Sequence, residues 1–185
     1  MKKFILLTTL LLPLIMFSQT QLGADIDGEA AYDYSGRSVS FSSDGTIVAI
    51  GAYRNDENGT DSGHVRVYKN ISGTWTQLGG DIDGEAAGDL SGHSVSLSSD
   101  GTIVAIGAYG NDDNGNASGH VRVYSWNGTL WSQLGSDIDG EAASDASGLS
   151  VSLSSDGTIV AIGAYSNDAN GSLSGHVRVY SWNGT

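Results

Sequence analysis

The 185-residue chain contains no cysteine, and its single proline is Pro13. Without cysteine there is neither a disulfide nor a lipid-modified cysteine, so stability has to come from packing or from a bound ion. Basic residues are scarce: eight Lys or Arg stand against 21 Asp or Glu, a formal net charge of −13. Nucleic acid and anionic membrane both need a basic footprint, so neither is expected as a partner. After residue 20 no helical periodicity is visible, and no stretch beyond the start of the chain is apolar and long enough to cross a bilayer. The one apolar run, residues 4–17, follows Lys2 and Lys3 and ends beside Ser18. It is too short for a spanning helix and reads as a cleaved signal peptide over residues 1–18. The chain is therefore expected to be secreted or displayed at the cell surface, by Gram-negative-type export through the Sec pathway.

What the sequence has in quantity is itself. Gln21, Gln77 and Gln133 open three near-identical copies, and the units run 21–76, 77–132 and 133–185. A unit of this size with strand patterning cannot bury its own apolar faces and has to stack on its copies. In the second copy, residues 94–98 alternate polar and apolar in the manner of a half-buried strand. Asp100-Gly101 signals a hairpin, and residues 102–108 form a β-branched run suited to a central strand. Residues 120–126, the turn Asn127-Gly128 and residues 129–134 supply a third and a fourth strand, leaving 109–119 and 135–148 as polar loops. The 27 glycines fit many tight turns. The fold class expected is all-β: four-stranded antiparallel meanders, the blades of a β-propeller, with an array of β-sandwiches as the alternative. Three blades do not close a ring of four to eight, so the propeller is incomplete and needs further blades or copies.

Residues 91–96, Asp100-Gly101, residues 104–108 and residues 119–124 resemble the FG-GAP repeats of integrin-α-type propellers, in the variant found in secreted bacterial proteins. Two positions depart from that pattern: Ser-Gly replaces Phe-Gly (35–36, 91–92, 147–148), and Gly-Ala-Tyr replaces Gly-Ala-Pro (51–53, 107–109, 163–165). The family's calcium loop falls on residues 98–102, where only Asp100-Gly101 survives. One carboxylate is too few for an ion taking six to eight oxygens. Calcium is accordingly not assigned to Asp44, Asp100 or Asp156.

Strand parity in a meander puts the loops between second and third strands, and those leading to the next blade, on one rim. Of the 21 acids, 18 lie in these two loop sets. Copies two and three differ at eight positions (80/136, 88/144, 90/146, 93/149, 110/166, 113/169, 116/172, 117/173), all in or beside the same loops. A constant frame with one varying rim is the pattern of a display surface. The metal candidates are the acids of the repeated Asp-Ile-Asp-Gly-Glu motif: Asp25, Asp27, Glu29 and Asp33; Asp81, Asp83, Glu85 and Asp89; Asp137, Asp139, Glu141 and Asp145. Alternate carboxylates share a side of an extended chain, and calcium is the ion such a set would take outside the cell. The alternative is an acidic turn whose Asp side chains cap backbone N–H groups.

His64, His120 and His176 share a strand face with Arg66, Arg122 and Arg178 and read as a repeated buried network. No Gly-x-Ser-x-Gly elbow occurs. The expectation is a non-enzymatic module for adhesion or for binding a protein or glycan ligand through the acidic rim, calcium-assisted. The alternatives are a blade segment of an extracellular glycan hydrolase or lyase, and a structural spacer.

Overall fold

The computed structural model describes residues 19–184, so the signal-peptide reading falls outside the described residues. No helix occurs among them, and none is therefore long and apolar enough to cross a membrane. The chain forms three antiparallel sheets. The first holds β1 (Ser38–Phe41), β2 (Ile47–Ala52) and β3 (His64–Ile71), with β4 (Thr74–Gln77) and β5 (Ile82–Asp83) both paired to β3. The second repeats the order as β6 (Ser94–Leu97), β7 (Ile103–Ala108), β8 (His120–Trp126), β9 (Trp131–Gln133) and β10 (Ile138–Asp139). The third holds β11 (Ser147–Leu153), β12 (Ile159–Ala164) and β13 (His176–Ser181). These are all-β propeller blades, and the three sheets do not close into a ring.

Two local readings of the sequence need correction. Asp100-Gly101 is not a two-residue hairpin: it sits inside a wider turn closed by the Ser98 N–H donating to the Ile103 carbonyl at 2.9 Å. The outer strand does not stop at Leu134 either. After the Leu134 N–H donates to the Val123 carbonyl, the chain bulges and rejoins the sheet, with Ile138 opposite Val121. In the first sheet Gly79, Gly80 and Asp81 bulge opposite Arg66 in the same way. The glycine that starts each bulge has positive φ, 75° at Gly79 and 70° at Gly135. Bulges re-aim side chains, and this one turns Asp81 and Asp137 toward the start of β3 and β8.

The sheets stack face to face, and the apolar core lies between them. Val65, Val67 and Ile82 of the first sheet pack with Leu97, Val104, Ile106 and Tyr124 of the second. Val121 of the second packs with Val160 and Ile162 of the third. In the central sheet the alternating strand has no exposed residue, and Val95 and Leu97 join the core, whereas Val39 and Phe41 of the first sheet are exposed. The serines of the first strand bond to the next sheet: the Ser38 hydroxyl donates to the Gly92 carbonyl at 2.7 Å, and the Ser40 hydroxyl accepts from the Leu97 N–H at 2.9 Å. The second sheet repeats both bonds with the third, through Ser94 and Ser96.

Candidate functional site

Both loop sets lie at one end of the stack and are tied together. In the first blade the loop over residues 53–63 meets the linker over residues 84–93. The Gly84 N–H donates to the Gly63 carbonyl at 2.7 Å, that of Gly88 to Thr60 at 2.9 Å and that of Ser91 to Ser62 at 2.9 Å. The Asn58 side-chain amide donates to the Gly84 carbonyl at 2.7 Å, as Asn114 does to Gly140. The linker also holds the next blade, where the Gly110 N–H donates to the Asp89 carbonyl at 3.1 Å. The rim is thus one continuous hydrogen-bonded belt.

That belt carries a repeated backbone anomaly. Tyr34, Leu90 and Ala146 occupy equivalent positions with φ of 52°, 59° and 53°, and Asp61, Ala117 and Leu173 do so with 55°, 48° and 51°. Left-handed backbone costs a non-glycine residue about 1–2 kcal/mol. The two positions touch, since the Leu90 N–H donates to the Asp61 carbonyl and that of Ala146 to Ala117, both at 3.1 Å. They are also positions where the copies differ. Seven of the eight differences between copies two and three fall on or beside the rim; Gly80/Ser136 lies instead in the bulge of the outer strand. Rings alternate along the same belt. Tyr34 and Tyr53 are 5.7 Å apart, Tyr53 and His93 5.5 Å, His93 and Tyr109 4.6 Å, and the Arg54 guanidinium lies 5.6 Å from the Tyr53 ring. This aromatic row draws on Gly-Ala-Tyr and two variable linker positions, far apart in sequence, which is why periodicity does not reveal it.

The twelve candidate acids separate into distinct environments. Asp33, Asp89 and Asp145 are buried and accept from main-chain N–H groups of their own linker, Asp89 from Glu85 at 3.2 Å and Ala86 at 3.0 Å. They also accept from Asn55, Asn111 and Asn167 of the following blade. This is the capping geometry. Asp25, Asp81 and Asp137 accept from the side-chain amides of Gln21, Gln77 and Gln133. Asp27, Asp83 and Asp139 contribute carbonyls to which Arg66, Arg122 and Arg178 donate. Burial, and next the Asp81 charge, push the Asp83 carboxyl above its usual range. Glu29 and Glu85 pair with Arg66 and Arg122 at 3.3 and 3.5 Å, and Glu141 lies 3.6 Å from His176 Nδ1.

Each of the first two blades gathers acids around a histidine. Glu29, Glu57, His64 and Asp81 place ligand-type atoms within 4.8 Å of one another, and Glu85, Asp113, His120 and Asp137 repeat the arrangement. These groups could hold a metal ion. Four of their members, Glu29, Asp81, Glu85 and Asp137, belong to the sequence-derived set; the histidines and Glu57 and Asp113 do not. The carboxylates crowd one another: Asp83 and Asp81 push the Glu57 carboxyl up, and burial does the same to Glu85, against the opposing pull of Arg122. Burial, and then Arg122, push the His120 imidazole down, which keeps it neutral near pH 7.

The turn that corresponds to the family calcium loop offers no such set. Asp44 Oδ1 accepts from the Ser42 hydroxyl at 2.7 Å, the Thr46 N–H at 3.0 Å and the Thr46 hydroxyl at 2.8 Å, so its donors are those of its own turn.

Comparison with known proteins places the fold. No curated protein matches the chain. A solved structure titled Kuenenia stuttgartiensis Hydrazine Synthase is similar at 14% identity and a TM-score of 0.50, over 78% of this chain and 33% of that one. The chain thus spans about a third of that structure's length, and the likeness is one of fold. The family comparison matches the FG-GAP repeat over residues 19–68 and 82–124. Taken with the stacked blades, that match makes this chain a member of the FG-GAP repeat family.

Proposed function

We propose that the chain is a non-enzymatic binding module, exported and held outside the cell, that takes a protein or glycan ligand on its acidic rim. The observation supporting this reading is the recurrence of left-handed backbone at positions filled by differing, non-glycine residues. A turn selected only for folding would place glycine there and avoid the cost. Retaining Tyr34, Leu90 and Leu173 instead favours a role for the side chains. The adjoining row of Tyr34, Tyr53, His93 and Tyr109 offers faces for stacking, and the carboxylates give the surface its sign. Calcium at the exposed carboxylates would stiffen the belt, as expected from the motif. Export rests on the leader over residues 1–18. Completion of the ring by further blades or by copies of the chain belongs to the same proposal.

Arrays of immobilised glycans and extracellular proteins, probed with the intact chain, test this reading. The triple variant Tyr34→Gly, Leu90→Gly and Leu173→Gly is expected to keep or raise the melting temperature while weakening any captured ligand at least ~10-fold. Unchanged capture by the triple variant would remove the rim from the reading. Release of new reducing ends from a glycan would replace it with the hydrolase or lyase alternative.

A further inference from the structure

The histidines at the start of β3 and β8 are an anomaly that ligand display does not absorb. His64 and His120 are both 0% exposed, and neither ring nitrogen of either residue has a hydrogen-bond partner. A buried imidazole without partners is costly, because the desolvation of its polar atoms is left uncompensated. Each ring nevertheless points its Nδ1 at carboxylates just beyond hydrogen-bond range. For His64 the distances are 3.5 Å to Asp81 and 3.8 Å to Glu29, and for His120 they are 3.9 Å to Glu85 and 4.0 Å to Asp137. Four ligands at ~2.0–2.2 Å from a tetrahedral ion stand about 3.4 Å apart, so these spacings suit an intervening ion better than a direct bond.

We propose that Glu29, Glu57, His64 and Asp81, and again Glu85, Asp113, His120 and Asp137, bind one divalent first-row transition-metal ion each, of the zinc class. The ligand chemistry selects the class. Calcium takes all-oxygen sets of six to eight ligands, whereas an imidazole nitrogen among three carboxylates suits zinc and its neighbours. Three features of the fold assemble the set. The bulge before β5 and β10 turns in Asp81 and Asp137. The loop between second and third strands supplies Glu57 and Asp113, and the segment leading into each blade supplies Glu29 and Glu85. Because Glu85 follows the first sheet while Asp113, His120 and Asp137 belong to the second, the second ion would staple two blades together, and the first would tie the segment before β1 to the first blade, in a chain that has no disulfide to do so. Glu57 and Asp113 are exposed, which gives the ion a way in. In the third copy the position of Glu57 and Asp113 is Ala169, while Glu141 still lies 3.6 Å from His176 Nδ1.

The test is a titration of the purified intact chain with Zn2+ and, in parallel, Ca2+, read by calorimetry and by the melting temperature. Two zinc ions per chain are expected, with a raised melting temperature reversed by a chelator. Calcium at the same concentration should not displace them. Asp113→Ala, which installs the residue of the third copy on an exposed loop, should weaken one of the two sites at least ~10-fold. Adding Glu57→Gln should weaken both, and Glu141→Gln should weaken neither. His120→Gln should act like Asp113→Ala, and the loop variants carry the test if that buried change unfolds the chain. Absence of zinc uptake, uptake indifferent to Asp113→Ala and Glu57→Gln, or displacement by equimolar calcium would overturn the assignment.

Discussion

Single side chains here act mostly on the backbone of their own turn. The Asp of each Ser-Asp-Gly-Thr turn collects a serine hydroxyl, a threonine hydroxyl and a threonine N–H, all of which favour the charged carboxylate. The Ser42 hydroxyl and then the Thr46 N–H hold the Asp44 carboxyl down at about 2, and Ser154 and Thr158 hold Asp156 there likewise. The Asp100 carboxyl is lowered in the same way, first by the Ser98 hydroxyl and then by the Thr102 N–H. A folded-state pKa below the unfolded value of ~3.9 means that the contribution is fully present above about pH 4 and is lost as pH falls toward 2. The melting temperature is therefore expected to drop between pH 4 and pH 2, and Asp44→Asn with Asp156→Asn should flatten that drop. An equally steep acid limb in the double variant would show that other carboxylates set it. Sequence alone located these turns, though as two-residue hairpins, and found a single carboxylate in each. It could not separate Asp89 as a capping residue from Asp81 beside an imidazole, because the two stand only eight positions apart in one acidic run.

At the scale of the element, the two family glycines find their reason in contact between blades. Gly107 of β7 passes so close to Gly148 of the next blade that a Cβ on it would lie 2.0 Å from the Gly148 carbonyl oxygen, and Gly51 meets Gly92 in the same way at 1.9 Å. The hydroxyl of Ser94 bonds to that same Gly148 carbonyl, so the Ser-Gly and Gly-Ala motifs are two halves of one joint. Gly163 faces only the Ser150 hydroxyl, at 2.4 Å. Gly107→Ala is accordingly expected to cost about 2–4 kcal/mol in denaturant unfolding, and Gly163→Ala markedly less, since a hydroxyl can rotate away and a carbonyl cannot. Similar losses at both positions would refute the joint. The strands themselves were legible from period-2 alternation and the β-branched run. The continuation of the outer strand past the bulge was not, because Gly79, Gly80 and Asp81 look like loop residues when read without their partner Arg66.

For the whole molecule, the central sheet shows what the outer two lack. Leu97 is 7% exposed and Val121 0%, whereas Phe41, at the position of Leu97 in the first blade, is 55% exposed, and Val177, at the position of Val121 in the third, is 67% exposed. Val179 beside it is 64% exposed. Apolar faces that neighbours cover inside the stack are open at its two ends, and burying such area is favourable at about 25 cal/mol per Å2. The chain studied by itself is expected to sediment above its monomer mass of 19.1 kDa at high concentration, and Val177→Lys with Val179→Lys should restore the monomer. A wild-type chain that stays monomeric at high concentration would remove the copy-completed ring.

The sequence by itself determined that this is a stack of near-identical β units, because period and alternation are local properties that survive without a third dimension. It also determined the sign of the rim, since strand parity sorts the loops before any coordinate is known. Only the tertiary structure decided which acids meet a histidine and which cap a turn. That choice depends on a bulge, a loop and a linker bringing residues dozens of positions apart to within a few ångströms, and no spacing along the chain encodes such a distance.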